Sequence, residues 1–148
     1  MPTLNFQQLE IQKGILISKD DIQPFGCVVA APNNLFIDHF TGNTCISSAN
    51  ISATNKGGIS DYLKKGDILL VTTGNVGRFY PIKKNFPIPV VANQFLTIIK
   101  KNKTINLLEL FEDDVFVDAF TKKLTTITEG TAAKRVNTQK LNTLTINW

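Results

Sequence analysis

Apolar residues in the first two-thirds of the chain fall in short runs broken by Gly, Pro, Asn and Asp, as strands and turns require; after Asn106 they recur at nearly four-residue intervals, as a helix requires. Gly26–Ala31 and Leu35–Ile37 flank the turn signal Pro32-Asn33-Asn34 and predict a short hairpin. Asn43–Gly58 is rich in Asn, Ser, Thr and Gly, with Ile46 and Ile51 as its anchors, and predicts a long polar loop with at most one strand. Next, Lys65-Gly66-Asp67 forms a turn that launches the apolar strand Ile68–Thr72, and Gly74-Asn75-Val76-Gly77 supplies the positive-φ positions for a reversal into a strand from Arg78 to Ile82. Phe86-Pro87-Ile88-Pro89 lacks two backbone donors and belongs at an edge or in a loop, while Val90–Lys100 reads as a third strand.

The helical stretch has Leu108, Phe111, Val115 and Ala119 on one stripe, with Phe116, Phe120 and Leu124 beside it. Asp113 and Asp114 cap its start and Lys122 and Lys123 suit its end, matching the helix dipole at both; Leu107–Glu112 is a separate short turn. From Thr128 to Trp148 the expected order is a loop, a short helical turn and a final strand.

A chain of 148 residues with 43% hydrophobic and 19% charged residues suits one compact domain, 1–148, with a buried core. Apolar runs such as Ile68–Val71 are too short to cross a bilayer, and Met1-Pro2-Thr3 begins no secretory signal, so a cytoplasmic location without membrane contact is expected. Cys27 and Cys45 are too far apart for a paired metal motif and have a single histidine, His39, to join them, so they read as reduced, buried thiols and no metal is expected.

Charge is unevenly spread. Met1–Ala49 has two lysines against four acids, Asn50–Thr104 nine bases against two acids, and the remainder five bases against six acids. A middle segment at +7 fits a surface that meets phosphates, and equally a solvated basic face. Catalytic chemistry is poorly provided for. Asp38 and His39 are neighbours that a strand would point to opposite faces, Glu112-Asp113-Asp114 is accounted for by helix capping, and Gly74–Arg78 has a Gly-x-x-Gly spacing without the Lys-Ser/Thr ending of a nucleotide-binding loop. No dinucleotide fingerprint and no Asn-Pro-Pro-aromatic tetrad occurs, so neither a cofactor nor an enzymatic activity is expected.

Leu63-Lys-Lys-Gly-Asp-Ile-Leu-Leu-Val-Thr-Thr-Gly-Asn-Val-Gly77, followed by Val91-Ala-Asn-Gln-Phe-Leu-Thr-Ile-Ile99, resembles a target-recognition domain of the specificity subunits of type I restriction-modification systems. The helix Phe116–Leu124, Gly130-Thr131, Val136–Leu141 and Leu144–Ile146 extend the resemblance, which covers about Asn43 to Ile146 and leaves residues 1–42 poorly matched. It implies a mixed α+β fold: a β-rich twisted sheet with one or two C-terminal helices. It also implies sequence-specific binding of double-stranded DNA without catalysis, one half of a split site being read by each domain. Trp148 stands where the family has a proline and no long helix follows, so the coiled-coil spacer that helps seat the methyltransferase subunits is expected to be missing; methyltransferase and restriction subunits are the partners that the resemblance implies.

On that reading Lys56, Lys64, Lys65, Arg78, Lys83, Lys84, Lys134 and Arg135 are candidates for phosphate contact, because their cations neutralise the backbone without reading sequence. Asn55, Thr73, Asn75, Arg78 and Tyr80 are candidates for base edges, because amides and guanidinium pair bidentately with purines. Asn93 and Gln94 match the family pattern from an expected strand position. Two other readings remain: a protein-interaction module derived from such a domain that modulates a restriction-modification system, and a small β-barrel endoribonuclease, in which a Lys-Gly-Asp turn before an apolar strand also occurs.

Overall fold

A computed structural model of the chain describes residues 1–17, 22–23, 27–32, 45–46, 62–86 and 89–148. The strand partner expected at Leu35–Ile37, the pair Asp38-His39, most of the polar loop after Asn43, and the candidates Asn55 and Lys56 lie outside the described residues.

The chain is a mixed α and β fold, rich in strands, with its helices in the C-terminal third. Numbered in chain order, β2 (Ile11–Lys13), β9 (Leu96–Ile99), β6 (Ile68–Val71) and β7 (Phe79–Pro81) form one antiparallel sheet in the order β2-β9-β6-β7. A second sheet has the order β3-β5-β4-β8, from β3 (Ile22–Gln23), β5 (Cys45–Ile46), β4 (Cys27–Ala30) and β8 (Val90–Ala92). Its β4–β8 pair is parallel. Two small ribbons complete the strands: β1 (Thr3–Asn5) with β12 (Thr145–Asn147), and β10 (Thr128–Glu129) with β11 (Arg135–Val136).

The unbroken apolar run Ile68-Leu69-Leu70-Val71 is explained by burial on both faces. Side chains alternate along a strand, so Ile68 and Leu70 join the core under the helices, whereas Leu69 and Val71 join a second core between the sheets. Val28, Ala30, Val90 and Ala92 supply the opposite wall of that second core, closed by Leu63 and Ile82. The sheet is thus the middle of three layers.

Three helices follow: α1 (Leu107–Leu110), α2 (Asp114–Ile127) and α3 (Thr138–Leu141). Each starts at an Asx cap: Asn106 Oδ1 accepts from Glu109 N at 3.2 Å, Asp113 Oδ1 from Val115 N at 2.9 Å and Asn137 Oδ1 from Gln139 N at 2.7 Å. The capping role expected of Asp113 is therefore met, and Asp114 adds its charge to the first turn.

Four expectations need correction. Val90–Lys100 is two strands in two sheets, because Asn93 Oδ1 accepts from Phe95 N and its carbonyl accepts from Leu96 N, closing a turn at 93–95. Val115 is 63% exposed, since the buried face of α2 is Phe116, Phe120 and Leu124. The helix also runs past Lys122 and Lys123 to Ile127, where Thr128 Oγ1 donates to Leu124 O. Finally, the N-terminal segment, poorly matched by sequence, builds the core: Leu4, Phe6 and Leu9 pack with the α2 phenylalanines, and Phe6 lies 5.6 Å centroid to centroid from Phe120.

Candidate nucleic-acid interface

Strand β6 has a loop cluster at each end, and the cationic candidates divide between them. At its C-terminal end, Gly74 (φ +92°) and Gly77 (φ +101°) occupy left-handed positions that a side chain strains, so this reversal depends on glycine. Neighbouring segments are hydrogen-bonded to it in register. Thr72 N donates to Phe95 O at 3.1 Å, Val136 N to Thr72 O at 2.8 Å, Gly74 N to Lys134 O at 2.9 Å and Val71 N to Arg78 O at 2.8 Å. The backbones of 93–95, 72–78 and 134–136 therefore lie side by side, and an isolated bridge pairs Thr73 with Arg135.

Five candidates far apart in sequence are brought together here: Thr73, Asn75, Arg78, Lys134 and Arg135. All but the half-buried Thr73 are exposed. The β10–β11 ribbon that carries Lys134 and Arg135 turns at Gly130, also at positive φ, where a Cβ would fall 2.3 Å from Ala133 O. It is tied down by an ion pair from Glu129 to Lys140 of α3. The Lys140 hydrogen bond and charge, with help from Arg135, hold the Glu129 carboxyl below the usual carboxylate range.

The other end of β6 is a field of lysines. Gly66 N donates to Ile82 O and Ile82 N to Asp67 O, which sets exposed Lys64 and Lys65 beside exposed Lys83 and Lys84. Lys65 N also donates to Asn85 Oδ1 at 3.2 Å. Lys101 lies over Gly66, and with Lys65 and Lys103 it lines an open cleft of about 390 Å³. These two lysines were not singled out by sequence, because they follow a strand whose partner was unknown. Six residue steps of extended chain from Asp67 to Thr73 separate the two ends by roughly 20 Å.

Not every cation of the basic middle segment is available. Lys100 is buried, and its Nζ donates to Asp67 Oδ2 at 3.2 Å. Asp67, wholly buried, also accepts from Lys64 N at 2.8 Å and Lys101 N at 2.7 Å. The Lys-Gly-Asp turn is therefore a structural lock between β6 and the end of β9. Lys83 pairs with Glu112 at 3.0 Å, both well exposed, a contact worth at most about 1 kcal/mol. Tyr80 stands in mid-β7 opposite Leu69, half-buried against the inter-sheet core. Asn93 and Gln94 sit in the turn, where Gln94 Oε1 accepts from Ile17 N at 3.2 Å.

Among the described residues no three of His, Cys, Asp and Glu come together as a metal-binding group, and no helix is long and apolar enough to cross a membrane. A larger cleft of about 830 Å³, between the chain ends and α1, is lined by Glu109, Glu112 and Asp113 and does not adjoin the loop cluster of Gly74–Gly77.

No protein-family model matches the sequence, and neither does any curated protein. Solved structures do match. The S subunit of a type I restriction-modification system from M. genitalium superposes with a TM-score of 0.52 at 18% identity, over 98% of this chain and 33% of that one. The HsdS subunit from Thermoanaerobacter tengcongensis gives a TM-score of 0.60 at 11% identity, over 98% of this chain and 32% of that one. The chain has the fold of part of a type I S subunit. It spans about a third of the length of those subunits, and at these identities the likeness concerns the fold.

Proposed function

We propose that the chain is a target-recognition module that binds double-stranded DNA sequence-specifically and performs no chemistry of its own. The observation that carries this reading is the loop cluster at the C-terminal end of β6, where Thr73, Asn75, Arg78, Lys134 and Arg135 converge on one hydrogen-bonded platform. Two kinds of group are combined there. Lys134 and Arg135 neutralise phosphates and fix the register, while Asn75, Thr73 and Arg78 have the donors and acceptors to read base edges. The shared fold with type I S subunits supports the same reading.

The lysine end adds Lys64, Lys65, Lys83 and Lys84 as phosphate contacts of lower specificity. A duplex laid along β7 meets both ends, since their separation of roughly 20 Å corresponds to about six base pairs of B-form DNA. Asn55, Lys56 and Tyr80 keep their proposed parts as DNA contacts. The partners proposed beyond DNA are the methyltransferase and restriction subunits of a restriction-modification system. A second reading, a protein-interaction module that modulates such a system, is favoured by one observation: the exposed Lys64, Lys65, Lys83 and Lys84 stand together at the lysine end, a cationic surface that suits an acidic protein equally well.

Titration of a labelled duplex at increasing salt tests DNA binding. The logarithm of the association constant should fall linearly with the logarithm of salt concentration, with a slope set by the number of phosphates neutralised. A flat response, or retention of a protein partner after nuclease treatment with no affinity for DNA, would favour the second reading.

A further inference from the structure

The turn that divides β8 from β9 displays an apolar group where burial would be expected. Phe95 is 43% exposed, and Leu16, on the segment running beside the turn, is 71% exposed. The two segments are bound together: Gly14 N donates to Leu96 O at 2.8 Å, Ile15 N to Ala92 O at 2.9 Å and Ile17 N to Gln94 Oε1 at 3.2 Å. Phe95 is held by both of its backbone groups, its N–H donating to Asn93 Oδ1 and its carbonyl accepting from Thr72 N. It cannot turn inward, because the next residue, Leu96, is wholly buried and occupies the core position. A rigid backbone thus presents a phenyl ring to solvent on the platform that carries Thr73 and Arg135.

We infer that Phe95, flanked by Leu16, is a wedge that presses into a base step of bound duplex DNA. This rests on the proposed DNA-binding reading and adds to it a mechanism of recognition. Apolar side chains inserted at a step partly unstack it and kink the duplex, and the cost depends on the step, least for the flexible pyrimidine–purine ones. Lys134 and Arg135, on the segment hydrogen-bonded to Thr72 and Gly74, supply the attraction that holds the duplex, while the ring supplies sequence preference without a hydrogen bond. Part of the specificity is therefore for deformability. The exposed cations of this platform favour DNA over an apolar protein surface as the occupant.

The test uses the full chain and a duplex enriched by it from a random pool, with 2-aminopurine placed at each position in turn. Binding should raise the fluorescence of the probe at one step. Phe95→Ala should abolish that rise and weaken binding roughly ten-fold, in line with the loss of one base–aromatic contact. The same variant should keep the wild-type salt slope, since no cation is removed. Phe95→Trp should restore the fluorescence change. Circular dichroism and thermal melting of both variants check that the half-exposed site has not cost the fold. Wild-type protein that binds with a normal salt slope but raises the probe at no step would overturn the wedge alone, as would Phe95→Ala binding unchanged. Wild-type protein with no affinity for any duplex would overturn the wedge together with the reading it rests on.

Discussion

At Asp67 a carboxylate closed off from water accepts hydrogen bonds from Lys64 N, Lys101 N and the Lys100 ammonium, so its loss takes the counter-charge from a buried cation. Asp67→Ala should therefore destabilise the protein by about 3–5 kcal/mol in urea denaturation, well beyond a surface change. Lys100→Met should also destabilise, because it leaves a wholly buried carboxylate without its counter-charge, held by two backbone donors alone. Sequence reading recognised a turn at Lys65-Gly66-Asp67 but not this lock, since the partner stands 33 residues away. Glu129 behaves differently. Its pKa is lowered in the fold by Lys140, so its contribution to stability is present above the unfolded carboxylate pKa and is lost as pH falls through the folded value. Lys140→Met should remove that part of the acid-side dependence of stability, followed by thermal melting between pH 6 and pH 3.

Helix α2 shows how a periodic pattern can place an element and its apolar face and still misplace one residue, Val115. Phe116, Phe120 and Leu124 are buried as one stripe, with Phe116 and Phe111 in edge contact at 5.2 Å between centroids. The competing stripe through Leu108, Phe111 and Val115 crosses the break between α1 and α2, where Asp113 starts a new helix with a new phase. Phe116→Ala should cost about 3–5 kcal/mol, whereas Val115→Ala should stay within about 0.5 kcal/mol, both read by chemical denaturation. The Val90–Lys100 segment failed for a related reason. Its halves are both apolar and β-branched, and only the side chain of Asn93, which accepts from Phe95 N, turns one strand into two. By contrast, the Gly74–Gly77 reversal was legible, because positive φ at both ends needs glycine.

For the whole molecule, charge counted along the chain indicated a basic segment but not that folding divides it into two ends. Lys64, Lys65, Lys83 and Lys84 lie at one end of β6, and Asn75 and Arg78 join Lys134 and Arg135, distant in sequence, at the other. Pairing of Thr73 with Arg135 is a long-range property that no local pattern encodes. The division yields a prediction: Arg78→Ala should weaken binding to a preferred duplex by about 1–3 kcal/mol and relax base choice, whereas Lys83→Ala should weaken all duplexes alike and lower the salt slope by about one phosphate. Competition titrations with matched and scrambled duplexes read both effects. The most direct test of the central claim is selection of bound duplexes from a random-sequence pool by the purified chain, followed by sequencing. Sequence-specific recognition predicts enrichment of one short contiguous motif over the input; a bound pool as random as the starting one would contradict it.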